Sequence, residues 1–174
     1  MRIDRIEEMR LTPGEEAQIA GLLARCFDTD FGGRTTFRQR HHVRLVARDP
    51  EIVGHMAITF RDVRQGNRLI PVIGIAEVAT DPDHRGKGIA GSLLGAAITE
   101  GRQSPAQFAL LFGEAPLYAA AGFRTVHNMM RFVDMTGAVT GRVERGMAES
   151  LMVLSLHGKP WDSGTMVDML GHLF

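Results

Sequence analysis

The feature that most constrains this chain is a change of period at Asp81-Pro82-Asp83. Before it, Leu69 to Thr80 is a long run of β-branched and apolar residues, which predicts a strand. After it, Ile89, Leu93, Leu94, Ala97 and Ile98 recur at helical spacing, which predicts a helix over Gly88 to Glu100 with Gly101 as its C-cap. The turn between them is Arg85-Gly86-Lys87-Gly88. A strand that turns through glycines into a helix gathers unpaired N–H groups and the positive end of the helix dipole in one place. Glycines let the backbone approach an anion closely, and Arg85 and Lys87 add charge there. The expected ligand is a diphosphate held by charge-assisted hydrogen bonds.

Two rival readings attach to the same residues. Gly86-Lys87-Gly88-Ile89-Ala90-Gly91 fits the dinucleotide pattern G-x-G-x-x-G. In that fold the first glycine follows its strand almost at once, whereas here Asp81 to Arg85 intervenes. The other rival is a purely structural turn.

The remaining elements set the fold class. Thr12-Pro13-Gly14-Glu15 reads as a capping box, and Ile19, Leu22, Leu23 and Cys26 give the following helix one apolar face. Asp28 to His42 reads as a loop. Val43 to Arg48 and Ile52 to Val63 read as strands, and Gln65-Gly66-Asn67-Arg68 as a hairpin turn into the Leu69 to Thr80 strand. Pro71 belongs near the start of that strand, since it cannot donate to a ladder. Phe108 to Phe112 reads as a buried strand and Pro116 to Ala121 as a short helix ended by Gly122. Phe123 to Met135 and Leu151 to Leu156 are the last two expected strands. Met1 to Arg10 shows only charges and isolated apolar residues. The expected class is α/β in the mixed α+β sense: one domain over residues 1–174, with a mixed central sheet and helices on both faces.

At 174 residues the chain is long enough for one real core, and equal numbers of acidic and basic residues, 20 of each, pull it toward neither nucleic acid nor an anionic membrane. No apolar stretch is long enough to span a bilayer, no signal segment opens the sequence, and the single cysteine fits a reducing cytoplasm. A cytoplasmic protein is expected. The seven histidines lack metal-ligand spacing, so no metal is expected.

Arg85-Gly86-Lys87-Gly88-Ile89-Ala90 resembles the R/Q-x-x-G-x-G/A signature of the GNAT superfamily of acyl-CoA-dependent N-acyltransferases. Downstream, Leu117-Tyr118-Ala119-Ala120-Ala121-Gly122-Phe123 is similar to that family's second conserved segment, and a helix and a strand separate the two motifs as that fold requires. The resemblance implies acetyl-CoA as co-substrate, a small-molecule primary amine as acceptor, and direct attack of the amine on the thioester. It implies that Arg85, Gly86, Lys87, Gly88, Ile89 and Ala90 hold the cofactor's diphosphate. It implies that backbone amides of Val78, Ala79 and Thr80 face the thioester. Tyr118, the only tyrosine, matches the position that protonates the CoA thiolate, and it would also touch the cofactor. A homodimer is compatible with the family. Protein or peptide acetylation, and acyl-CoA sensing without catalysis, remain alternatives.

Glu77 is the expected base or substrate anchor, with Glu114 and a water chain as alternatives. Relatives often place this carboxylate an odd number of residues before the motif arginine, whereas Glu77 stands at an even offset from Arg85. Strand alternation then turns Glu77 to the wrong face unless a bulge intervenes. The basic stretch containing Arg34, Arg38, Arg40, His41, His42, Arg44 and Arg48 reads as a solvated face or as a wall for an acidic ligand. Cys26 and Met129, Met130 and Met135 are expected in the core. The apolar tail from Pro160 to Phe174 loosely resembles the tails of aminoglycoside 2′-N-acetyltransferases and nodulation-factor acyltransferases, which makes Trp161 a candidate substrate-site residue or simple packing.

Overall fold

Arg2–Glu7 is a strand, β1, although its sequence shows only weak alternation. It pairs antiparallel with β2, Val43–Arg48, from Arg2↔Arg48 to Glu7↔Val43. The sequence pattern missed β1 because Ile6 is the one side chain it fully buries. The computed structural model describes residues 1–114 and 116–174.

Between these strands lies α1, Pro13–Cys26, opened by the expected capping box. The Glu15 N–H donates to Thr12 Oγ1 at 3.3 Å, and the Thr12 N–H donates to Glu15 Oε2 at 3.0 Å. β2 pairs with β3, Ile52–Gln65, and β3 turns through Gly66-Asn67 into β4, Arg68–Thr80. Four strands, not three, therefore form the opening meander.

A crossover helix, α2, spans Ile89–Arg102 and leads to β5, Phe108–Phe112, which lies parallel to β4. Gly101 sits inside α2 rather than capping it; the cap is Gln103. Its role is close packing, since a Cβ there would lie 2.6 Å from Ile73 Cδ1. After α3, Pro116–Ala120, the expected long strand is broken in two, β6 at Arg124–Thr125 and β7 at Met129–Val133. β8, Val143–Met147, β9, Leu151–Ser155, and β10, Val167–Asp168, complete one mixed ten-stranded sheet ordered β6-β9-β5-β4-β3-β10-β7-β8, with β2 and then β1 attached to β3. β8 and β10 escaped the sequence reading: one is polar and exposed, the other two residues long.

The helices cover both faces. α1 sets Ile19, Leu22 and Leu23 against Ile6, Val46, Ile52 and Ala79. α2 sets Ile89, Leu93, Leu94 and Ala97 against Leu45, Val53, Ile73, Ile75 and Leu111. Each buried Leu contributes about 1.5–3 kcal/mol, so these two layers dominate cohesion around β4. Among the described residues, no helix is long and apolar enough to cross a membrane.

Candidate functional site

β4 carries the site because it is irregular at one residue. Its pairing with β3 runs in register from Gln65↔Arg68 to Ala57↔Ala76, then resumes at His55↔Ala79, so β4 spends one residue more than β3. The extra residue falls at Glu77, whose φ is +51°. A non-glycine residue there costs about 1–3 kcal/mol and persists only when its surroundings hold it. The bulge also shifts the phase of the strand. Ile73 and Ile75 face α2, and so does Val78, while Ala76 and Glu77 both line the opposite face. This removes the parity objection to Glu77.

Next to the bulge the sheet opens. β5 follows β4 only from Val72↔Phe108 to Ile75↔Leu111, so β4 runs on from Ala76 without that neighbour. The Asp81 N–H donates to Val53 O at 2.8 Å. Counting back along the ladder, the amides of Thr80 and Val78 turn away from β3, toward the open side.

Glu77 is held from three directions. Its Oε1 accepts from the Phe37 N–H at 3.1 Å and its Oε2 from Arg44 Nη1 at 2.9 Å. His41 Nε2 stands 3.2 Å from Oε2, but the angle is poor and that nitrogen has no proper hydrogen-bond partner. Burial would raise the Glu77 carboxyl; His41 and Arg44 outweigh it and hold it below the ordinary range. Arg44 is fully buried and also donates to Glu8, from Nε to Oε2 at 2.7 Å and from Nη2 to Oε1 at 3.2 Å, and to Thr35 O at 2.9 Å. Its Nη1, whose two N–H groups also serve Glu77 and Thr35 O, lies 3.1 Å from His55 Nε2, and His55 Nδ1–H donates to Glu77 O at 2.8 Å. Burial, aided by Arg44, pushes His55 down to about 3, so it is a neutral strut.

The basic stretch is therefore no solvated face throughout. Arg40 and His42 do lie toward solvent or at its edge, but Arg44 is the ionic keystone and His41 is buried beside Glu77. A signal existed: Val43-Arg44-Leu45-Val46-Ala47 is an unbroken apolar run apart from Arg44, the pattern of a strand covered on both faces.

A cleft of about 300 Å³ opens at the bulge and the splay. Its aromatic wall is Phe27, Phe31, Phe37, Phe112 and Phe174, and Ile75, whose side chain belongs to the α2 core, borders it where the strands part. Its polar groups include Arg38, His41, Glu77 and His172. The Phe174 ring lies on the backbone of Gly74, and the Arg61 guanidinium stacks on its other side, 4.3 Å from the ring centre.

On the α2 side lies the glycine turn. A short 3₁₀ turn at Pro82–His84 leads to Gly86 and Gly88, with φ of +77° and +75°. Gly88 is the N-cap of α2, in the left-handed conformation and with no side chain capping the helix. Among the described residues, no N–H from Gly86 to Gly91 donates to another protein group, and neither Arg85 nor Lys87 forms a salt bridge. Open space surrounds both glycines. These amides are ready to receive an anion.

Tyr118, on α3, sits on this same α2 side and does not line the cleft. Its ring meets Phe123 edge-on at 6.2 Å, its hydroxyl makes no hydrogen bond to a described residue, and burial raises its pKa. The splay separates Tyr118 from Glu77. Glu114 is exposed beside α3. Trp161 packs edge-on against Phe108 at 5.0 Å and donates to Asn128 Oδ1 at 2.9 Å, away from the cleft; the tail reaches the cleft through His172 and Phe174 instead. Cys26 is half-buried, with Sγ donating to Thr80 O at 3.3 Å. Of the three methionines, Met130 is in the core while Met129 is 43% exposed, because alternation along β7 points them to opposite faces.

Comparison with known proteins agrees with this fold. The sequence model of the Acetyltransferase (GNAT) domain matches residues 9–126. The GNAT-family N-acetyltransferase YhbS of Escherichia coli, solved in complex with CoA, is similar with a TM-score of 0.64, at 21% identity, over 97% of this chain and 89% of that one. A GNAT-family acetyltransferase of Brucella melitensis, solved with acetyl-CoA, gives a TM-score of 0.59 at 18% identity over 94% of this chain and 93% of that one. Among curated proteins, a phosphoenolpyruvate-protein phosphotransferase of Latilactobacillus sakei is 42% identical over 76 residues, which is 41% of this chain and only 12% of that protein's length.

Proposed function

Because the chain belongs to the GNAT acetyltransferase family, we propose that it transfers an acetyl group from acetyl-CoA to a primary amine of a small molecule in the cytoplasm. The observation that carries this is the set of unsatisfied amides at the start of α2, set beside a splayed strand. Gly86 to Ala90 with Arg85 and Lys87 would hold the diphosphate, and Val78, Ala79 and Thr80 would border the acyl group. Bound acetyl-CoA would supply the thioester. The dinucleotide reading fails on spacing and context, since Asp81 to Arg85 separate β4 from Gly86 and the one parallel step from β4 through α2 to β5 is followed by antiparallel β9.

The chain's own groups then divide the work. The Val78 and Thr80 amides face the place where negative charge develops on the carbonyl oxygen. Tyr118, kept protonated by burial, gives its proton to the departing sulfur as the C–S bond breaks and the N–C bond forms. Glu77 is already engaged by Phe37, Arg44 and His41, which makes it a weak base. Its charge anchors the incoming ammonium instead, and the proton leaves through water.

Tyr118→Phe is expected to lower kcat about 10²- to 10⁴-fold with little change in KM for acetyl-CoA, read as CoA release over an amine panel. Unchanged kcat would remove Tyr118 from the chemistry. Tight acetyl-CoA binding with no turnover of any amine would favour the sensor reading. Gly88→Val and Arg85→Ala are expected to weaken CoA binding by calorimetry, about tenfold or more for Arg85→Ala. Unchanged affinity in both would place the diphosphate elsewhere.

A further inference from the structure

The cations around the cleft beside Glu77 are occupied by the protein itself. Arg38 donates to Phe174 O at 3.0 Å, and its guanidinium lies 5.4 Å from the centre of the Phe37 ring. Arg61 donates to His172 O and stacks on the Phe174 ring at 4.3 Å. These two side chains tie the tail to the cleft. Arg44 answers Glu8 and Glu77. Glu77 is the one carboxylate among the described residues that line the cleft. A ligand therefore meets a single negative group and a wall of phenylalanines.

That wall is packed and bounded. Phe27, Phe31 and Phe37 stand in a row at 5.6 Å spacings, and Phe112 lies beside Phe174 with ring centres 6.4 Å apart. The Phe174 ring is seated directly on β4, since a Cβ at Gly74 would come within 1.9 Å of it. With Arg61 on its other side the ring is clamped, and it bounds the cleft there. A space of about 300 Å³ accepts one aromatic ring on a short chain and not a folded protein. Ring-on-ring contacts add to the gain from burial alone.

We propose that the acceptor is a primary amine on a compact aromatic or bulky apolar body, its nitrogen at Glu77 beside the splay, its body against the phenylalanine wall, and the Phe174 ring setting how long that body can be. The reaction assigned to this molecule rests on the acyltransferase reading above; the binding mode does not. A carboxylate on the ligand would be buried without a free cation to receive it. An aminoglycoside or polyamine brings several cations to a cleft with one carboxylate, and its polar groups would lose water against phenylalanine.

The test compares ethylamine, phenethylamine, 4-phenylbutylamine, phenylalanine, spermidine and kanamycin, first by calorimetry without CoA and then as acetyl acceptors. Phenethylamine is expected to bind, and to be acetylated with a kcat/KM about 10- to 100-fold above that of ethylamine, the value of burying one ring. Phenylalanine is expected to fall about tenfold below phenethylamine. Phe112→Ala is expected to lower kcat/KM for phenethylamine about tenfold more than for ethylamine. Phe174→Leu is expected to raise 4-phenylbutylamine about tenfold relative to phenethylamine, a gain that a damaged fold would not produce. Equal use of ethylamine and phenethylamine, preference for phenylalanine, spermidine or kanamycin, or an unchanged length preference in Phe174→Leu overturns the proposal. If phenethylamine binds in a Phe112-dependent way but no amine is acetylated, the binding mode stands and the acyltransferase reading falls.

Discussion

Arg44→Met is expected to destabilise the fold by about 3–5 kcal/mol, measured as a shift in urea midpoint at constant m-value. The side chain is wholly buried and answers two carboxylates that are themselves over nine-tenths buried, Glu8 and Glu77. Removing it strands both charges and takes a hydrogen bond from Thr35 O. The cost comes from the stranded carboxylates rather than from lost packing, since methionine restores most of the stem's volume. The triple variant Arg44→Met with Glu8→Met and Glu77→Met is therefore expected to recover much of the loss, because buried ion clusters trade evenly against apolar residues. A loss below about 1 kcal/mol in the single variant would mean that Glu8 and Glu77 find water or new partners.

Stability is expected to fall by about 2 kcal/mol between pH 7 and pH 5 on account of His55 alone. The native state keeps this imidazole neutral down to about 3, while the unfolded chain titrates it near 6.5. In the window between those values the unfolded chain binds one proton more, so acid favours unfolding. His172 shifts the same way, its burial opposing the charged form. Glu77 and Glu8 sit below their ordinary pKa values against burial, Glu77 held there by His41 and then Arg44, Glu8 by Arg44 and Arg40. Their contribution is present above the unfolded carboxylate range and is lost only as pH drops beneath it, steepening the decline at the acid end. Urea midpoints at pH 7, 6 and 5 measure the slope. His55→Gln should flatten it, whatever its own stability; an equal slope in that variant would assign the proton to another group.

Those two expectations could not have been drawn from sequence, and the reason is physical. The capping box at Thr12, the Gly66-Asn67 hairpin and the glycine turn before α2 are local devices, with every participant within a few residues, and all three were legible. So was α2, whose apolar face repeats over fourteen residues. Arg44 finds its partners 36, 33 and 11 residues away, in Glu8, Glu77 and His55, so nothing in its own neighbourhood marks it except the apolar run around it. The positive φ of Glu77 is likewise a tertiary product. The Phe37 amide, Arg44 and His55 arrive from one loop and two strands to fix it. The position of Glu77 was legible, but the face it points to was not. The cleft was hidden for the same reason, because its aromatic wall combines the loop between α1 and β2, β5 and the tail.

The additional residue in β4 works like a half-twist set into a ribbon. Upstream of it, even and odd positions serve one pair of layers; downstream, the assignment is exchanged. A single strand can thus send consecutive side chains, Ala76 and Glu77, into one chamber while the next, Val78, belongs to the other side of the partition. Excising one residue there would return the ribbon to a uniform weave. Everything from the excision to Thr80 would trade sides, and the two chambers would no longer share a doorway.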